Sequence, residues 1–249
     1  MTTTFAAPAV SSSVHLQQIV RRAAEASPRN QQVAVGPSEM GDECDRRLAY
    51  RALDVKGPNT SGDPWPSIVG VAVHGWLADA FTLENQRLGR VRYLIEQRVF
   101  MTDGISGTCD LFDVDQAEVI DHKILGTTSM KKIKSGDIAA RYQVQLQLYG
   151  FGLRRAGRRV ERVSLACYPR GGFLDGLYVW STDYDEATAL AALARFSNIS
   201  AAALVLNLDD PSTSFWGMIP AQPTPERCAW CPYWRPGRPA DFTGCPGPT

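Results

Sequence analysis

Gly107-Thr-Cys-Asp-Leu-Phe-Asp-Val-Asp-Gln-Ala-Glu-Val-Ile-Asp-His-Lys123 is the stretch that decides the fold. Two strand-like runs, Gly107 to Val114 and Glu118 to Leu125, flank a polar turn at Asp115-Gln116. Any symmetric loop with that centre sets Asp110 opposite Asp121. Alternation then puts Asp110, Asp121 and Lys123 on one face of the hairpin, together with Phe112 and Val119. Two carboxylates facing each other on a partly apolar surface repel unless a cation lies between them. Hard divalent ions such as Mg²⁺ and Mn²⁺ take oxygen ligands of this kind. The plainer alternative is that Asp121-His122-Lys123 is a polar strand end at the surface.

Upstream of the hairpin, Val91 to Met101 reads as a further strand, and Ser67 to Leu88 as a helix with Val71, His74, Ala78 and Phe81 on one stripe. Downstream, Ile138 to Arg155 is helical. Gln145 and Tyr149 are four apart and share a face with Tyr142, while Val144, Leu148 and Phe151 form an apolar stripe. Strands over Val160 to Tyr168 and Gly176 to Trp180 follow, then a long Ala/Leu-rich helix from Asp183 to Leu208. Near the start, Val14 to Ala26 reads as a helix closed by Ser27-Pro28. Asp42 to Leu53 reads as a second, before a Gly/Pro-rich loop from Lys56 to Pro66. Strands interleaved with helices predict an α/β domain. From Asp209 the texture changes to Pro, Trp, Gly and Cys, with few periodic apolar residues. The chain thus divides into a disordered tail (1–13), an N-terminal helical region (14–66), a core (67–208) and a Cys-rich C-terminal tail (209–249).

Of the 249 residues, 44% are hydrophobic and 21% charged, which excludes wholesale disorder. Lys plus Arg (26) equals Asp plus Glu (26), so bulk charge predicts no polyanion binder and leaves only local patches. Lys131, Lys132 and Lys134 behind the hairpin, and Arg154, Arg155, Arg158, Arg159 and Arg162 around a helix end, are such patches. No apolar run reaches the ~18 residues of a membrane helix. The Ala/Ser/Thr-rich start lacks the basic and apolar regions of an export signal. The expectation is a cytoplasmic protein with no membrane contact, its six thiols reduced. Cys228-Ala-Trp-Cys231 has a spacing that lets two thiolates share one centre. With Cys44 and Cys245 it makes four, a set that suits either a [4Fe–4S] cluster or zinc. Cys109 and Cys167 fall inside strands and read as small core residues.

The ordered set His74, Asp110, Asp121-x-Lys123 and Gln145-x-x-x-Tyr149 resembles the RecB-like exonucleases of the PD-(D/E)xK nuclease superfamily. Within it, the likeness is to the CRISPR-associated and phage-encoded members that carry an iron–sulfur cluster. Ser38 to Tyr50, where Cys44 is followed by Arg46-Arg47 and an aromatic, is similar to the opening of that subgroup. The resemblance spans residues 36 to 245 and implies a restriction-endonuclease-like α/β core, its mixed sheet flanked by helices. A Cys-liganded tail would pack on the N-terminal helical region. The implied activity is metal-dependent exonuclease cleavage of DNA, single-stranded or at duplex ends, in recombination, repair or phage replication. The resemblance further implies Mg²⁺ or Mn²⁺ on His74, Asp110, Asp121 and the backbone carbonyl of His122. Lys123 would be the catalytic lysine, with Gln145 and Tyr149 contacting substrate. Cys44, Cys228, Cys231 and Cys245 would hold one [4Fe–4S] cluster. Two other functions remain open at this point: a non-catalytic, zinc-stabilised DNA-binding or recombination-accessory protein, and a structure-specific endonuclease.

Overall fold

The computed structural model describes residues 12–26, 35–59 and 62–247. Its strands are β1 (Tyr93–Phe100), β2 (Ser106–Asp113), β3 (Glu118–Leu125), β4 (Arg162–Pro169) and β5 (Tyr178–Asp183). Its helices are α1 (Ser12–Glu25), α2 (Pro37–Met40), α3 (Asp45–Ala52), α4 (Trp65–Leu88), α5 (Thr127–Lys134), α6 (Ala140–Arg155), α7 (Glu186–Val205) and α8 (Pro225–Cys228). Of the stretch expected to be a disordered tail, residues 1–11 lie outside the described residues, whereas Ser12 and Ser13 open α1. Ser27-Pro28 also lies outside them. The short helix α5 was not foreseen. Its eight residues present Met130 and Ile133 inward and Lys131, Lys132 and Lys134 outward, too brief a pattern to stand out from a loop.

The strands form one sheet in chain order, antiparallel throughout except between β3 and β4. A parallel pair needs a crossover, and α5 and α6 supply it. Successive residues of β3 point to opposite faces. Asp121 reaches Gln145 of α6 on one face, and His122 stacks on Phe81 of α4 on the other, ring centroids 5.8 Å apart. Helices therefore cover both faces, as the sequence predicts. The main core lies beneath α6, where Phe112, Val119, Leu146, Leu148, Val163 and Leu165 are buried, each stabilising by about 1.5–3 kcal/mol. Cys109 and Cys167 are buried in the same cluster, as small core residues. Gly89 ends α4 in the left-handed conformation (φ 65°), turning the chain into β1.

The hairpin has the expected register: Leu111 faces Ile120, Phe112 faces Val119 and Asp113 faces Glu118. One step further would set Asp110 against Asp121, but the ladder stops before it. The β1–β2 ladder has a matching gap. Ile95 pairs with Leu111 and Gln97 with Cys109, while Glu96, between them, adopts a left-handed φ of 48°. For a residue with a Cβ that conformation costs about 1–2 kcal/mol. The sheet is thus interrupted on both sides of Asp110.

A second core lies apart from the sheet. Leu48, Ala49 and Tyr50 of α3, Ile199 and Ala203 of α7, and Trp216 bury together, joined by Ile219, Tyr233 and Ala240. The Tyr50 ring is sandwiched between Trp216 (4.0 Å) and Tyr233 (4.5 Å), and its hydroxyl lies 2.7 Å from Gly244 O and 2.8 Å from Asp241 O. The tail from Asp209 onward packs on the N-terminal helical region, as expected. Contrary to its poor apolar periodicity, it also brings large core side chains of its own. The composition argument against a membrane helix needs a correction too. By length and composition α7 is long and apolar enough to cross a membrane, with a mean hydropathy of 1.4 over its window. Here it packs on α3 and α6, and Arg195 in its middle donates to Asp45 at 2.8 Å.

Candidate active site

The interruption of the sheet at Asp110 opens a cleft of about 480 Å³. His74, Asp110, Asp121, Lys123, Gln145 and Tyr149 all line it. Four elements deliver them: α4, the β2–β3 hairpin and, from the other face, α6. Gly107 sits where β2 passes Pro37 and Tyr149. A Cβ there would meet Pro37 Cδ at 2.9 Å and the Tyr149 ring at 3.0 Å, so only glycine lets this wall close.

Asp110 occupies the break in the ladder. Its Oδ2 accepts the backbone N–H of His122 at 2.8 Å, and its Oδ1 lies 3.4 Å from His74 Nδ1. Burial pushes the Asp110 carboxyl up, but His74 and the His122 N–H outweigh it and hold it below the usual carboxylate range. The same contact raises the His74 imidazole against its burial. Asp121 is almost wholly buried, 1% exposed. Burial, with the charge of Asp110 added, pushes its carboxyl up to about 6 even though Lys123 pulls the other way. Gln145 Nε2 donates to Asp121 Oδ1 at 3.0 Å and to Tyr149 Oη at 3.1 Å. Asp121 Oδ2 is in ion contact with Lys123 Nζ yet has no hydrogen-bond partner. Burial also pushes the Tyr149 phenol up, so it stays protonated.

His122 behaves differently from the other six. Its imidazole lies among Phe81, Tyr168 (5.5 Å) and His74 (6.0 Å), on the α4 face of β3. Burial lowers it to about 4, so it is neutral near pH 7. Only its backbone belongs to the site.

Two residues that sequence reading missed also line the cleft, Glu96 and Arg98. Among the described residues, His74, Glu96 and Asp110 offer ligand atoms that all lie within 4.8 Å of one another, and Asp121 stands outside that group. One imidazole nitrogen with carboxylate oxygens is a donor set that suits Mn²⁺ or Mg²⁺. Strand alternation gives no hint of Glu96, because its left-handed φ carries neither a Gly nor an Asn signal.

Outside the cleft, Cys44, Cys228, Cys231 and Cys245 line one small cavity with Arg47 and Tyr233. Cys44 stands at the N-cap of α3, and Cys228 ends α8, its carbonyl accepting the Cys231 N–H at 2.9 Å. The long stretch from Pro232 to Gly244 folds back on itself: Cys245 N–H donates to Tyr233 O, and Arg235 N–H donates to Cys245 O. Arg46 Nη1 lies 3.4 Å from Cys245 Sγ while its other donors hold the Ile219 carbonyl. No three of these thiols lie within 4.8 Å of one another among the described residues.

No family model matches the chain, and no curated protein matches it. Among solved structures it is similar to an alkaline exonuclease from Laribacter hongkongensis (15% identity, 70% of this chain and 89% of that one, TM-score 0.48). It is also similar to a phage-related exonuclease from Haemophilus somnus 129PT (13% identity, 68% and 92%, TM-score 0.47). The Laribacter exonuclease in complex with dAMP gives 15% identity, 68% and 91%, and a TM-score of 0.39.

Proposed function

We propose that the chain is a metal-dependent DNA exonuclease acting on single strands or duplex ends. The observation that carries the reading is the convergence, in one cleft, of His74, two apposed carboxylates, a lysine and the Gln145–Tyr149 pair, with a buried Asp121 oxygen lacking a hydrogen bond. His74, Asp110 and Asp121, with the His122 carbonyl that the resemblance adds, would hold a divalent cation. Such a cation neutralises phosphate charge and makes bound water more acidic. Lys123, in ion contact with Asp121, would orient the attacking water and offset charge that builds on the phosphate. Gln145 fixes the Asp121 carboxylate and the Tyr149 hydroxyl in one arrangement. Lys131, Lys132 and Lys134 of α5 follow the site strand and are exposed, suited to phosphates without reading sequence. Trp76 and Phe173, 68% and 85% exposed, border an apolar depression on the α4 side and offer stacking faces for unpaired bases.

The test is digestion of end-labelled linear and covalently closed circular DNA with Mg²⁺ or Mn²⁺. Mononucleotide release from linear DNA alone is expected. Cleavage of circles would replace the exonuclease with an endonuclease, and inert protein would leave a binding role.

For the four thiols we propose a [4Fe–4S] cluster. The resemblance favours the cluster, and the same four thiolates would also suit zinc. Protein purified without oxygen should absorb broadly near about 400 nm and carry roughly four irons per chain. Colourless protein with one zinc would replace the cluster and leave the nuclease reading intact.

A further inference from the structure

We infer that Glu96 is a direct ligand of the divalent cation in the cleft, a role that neither the hairpin nor the ordered motif assigns to it. The inference rests on the metal-dependent reading above. Glu96 lies on β1, the strand paired with β2 of the hairpin, at the position across from Asp110. The β1–β2 ladder gives way at this residue and at Asp110, the position facing it. Its carboxylate comes within 4.8 Å of ligand atoms of both His74 and Asp110.

The charge of the cleft asks for the same ion. Glu96, Asp110 and Asp121 face only two permanent cations, Arg98 and Lys123, which leaves the walls one charge negative with His74 neutral. A cleft of that sign repels a phosphodiester. One divalent cation reverses it to a single positive charge, enough to accept one phosphate. Asp121, 1% exposed, lines the same cleft, its Oδ2 in ion contact with Lys123 and without a hydrogen bond. Lys123 offsets Asp121, which leaves Glu96 and Asp110 with Arg98 alone among the permanent cations of the cleft. Arg98, whose guanidinium donates to Ser106 Oγ at 2.6 Å, is left as the phosphate-facing cation of the rim.

The test is Mn²⁺ titration of the full chain, followed by calorimetry and by the electron paramagnetic resonance signal of free Mn²⁺, so that binding is read without activity. Glu96→Gln should weaken Mn²⁺ by more than about tenfold, the loss that removing even an outer-sphere partner produces. Glu96→Gly should weaken it equally. Glycine suits the left-handed backbone, so that variant should keep or raise the melting temperature of the metal-free protein. Arg98→Ala should not weaken Mn²⁺. Parental affinity in both Glu96 variants, with Asp121→Asn deficient, would overturn the role of Glu96 and spare the nuclease reading. Failure of the parent to bind Mn²⁺ at all would overturn both.

Discussion

Asp121→Asn is expected to abolish cleavage, by on the order of 10³-fold or more, while leaving the metal-free protein at least as stable as the parent. The two effects come from one cause. Asp121 is buried beside Asp110, and its ionised form is the unfavourable one until a cation arrives. Its carboxyl titrates at about 6 in the folded chain against about 3.9 in an unfolded one. The protonated carboxyl thus favours the fold fully below pH ~3.9, and that contribution is lost as pH rises through about 6. Asparagine stays neutral throughout. In EDTA at pH 8 the variant should gain on the order of 1–2 kcal/mol, and the gain should shrink towards pH 4–5. Melting curves at the two pH values, with cleavage assays beside them, decide it. A variant that is inactive because it has melted would remove Asp121 from the site and place it in the scaffold.

Trp216→Ala should be the most damaging change outside the cleft. The indole is fully buried and stacks on Tyr50 at 4.0 Å with the planes 13° apart. Truncating a buried tryptophan costs about 3–5 kcal/mol, a loss of roughly 6–20 °C in a chain of this size. Calorimetric melting of the variant measures it, and a shift under about 2 °C would mean that the second core contributes little. Tyr50 would lose one of its two flanking rings, so the α3 end of the tail should open first under limited proteolysis.

The parts of this structure that could be read from the sequence are those where local chemistry and global fold agree. The turn centre at Asp115-Gln116 fixes the hairpin register because each slip of one residue would turn Phe112 and Val119 outward. The helix carrying His74 and the helix carrying Gln145 and Tyr149 follow from long periodic runs. The cleft brings all five expected catalytic residues together with His74. Glu96 was hidden for the opposite reason. A strand residue that takes a left-handed φ breaks the period on which strand reading depends, and nothing in its side chain announces it. The aromatic core of the tail was hidden because Trp216, Ile219 and Tyr233 sit at no regular spacing; what aligns them is Tyr50, far upstream. Helix α7 shows a limit of composition, since an apolar helix folded against α3 and α6 has much the same content as one that would enter lipid.

The three-ring stack has a consequence for how the protein is made. Tyr50 leaves the ribosome long before Trp216 and Tyr233, its stacking partners, and Arg46 long before Cys245. At about 5–20 residues per second, the interval for some two hundred residues is roughly 10–40 s. During that time the sheet and α6 can already close, while the apolar side of α3 stays uncovered in the nascent chain. Closing so long a loop comes late and slowly. Newly made protein should accordingly pass through a stage in which the cleft is assembled and the segment carrying Cys44 is still a target for chaperones. A metal centre on the four thiols, as proposed above, could be completed only after translation of the last of them.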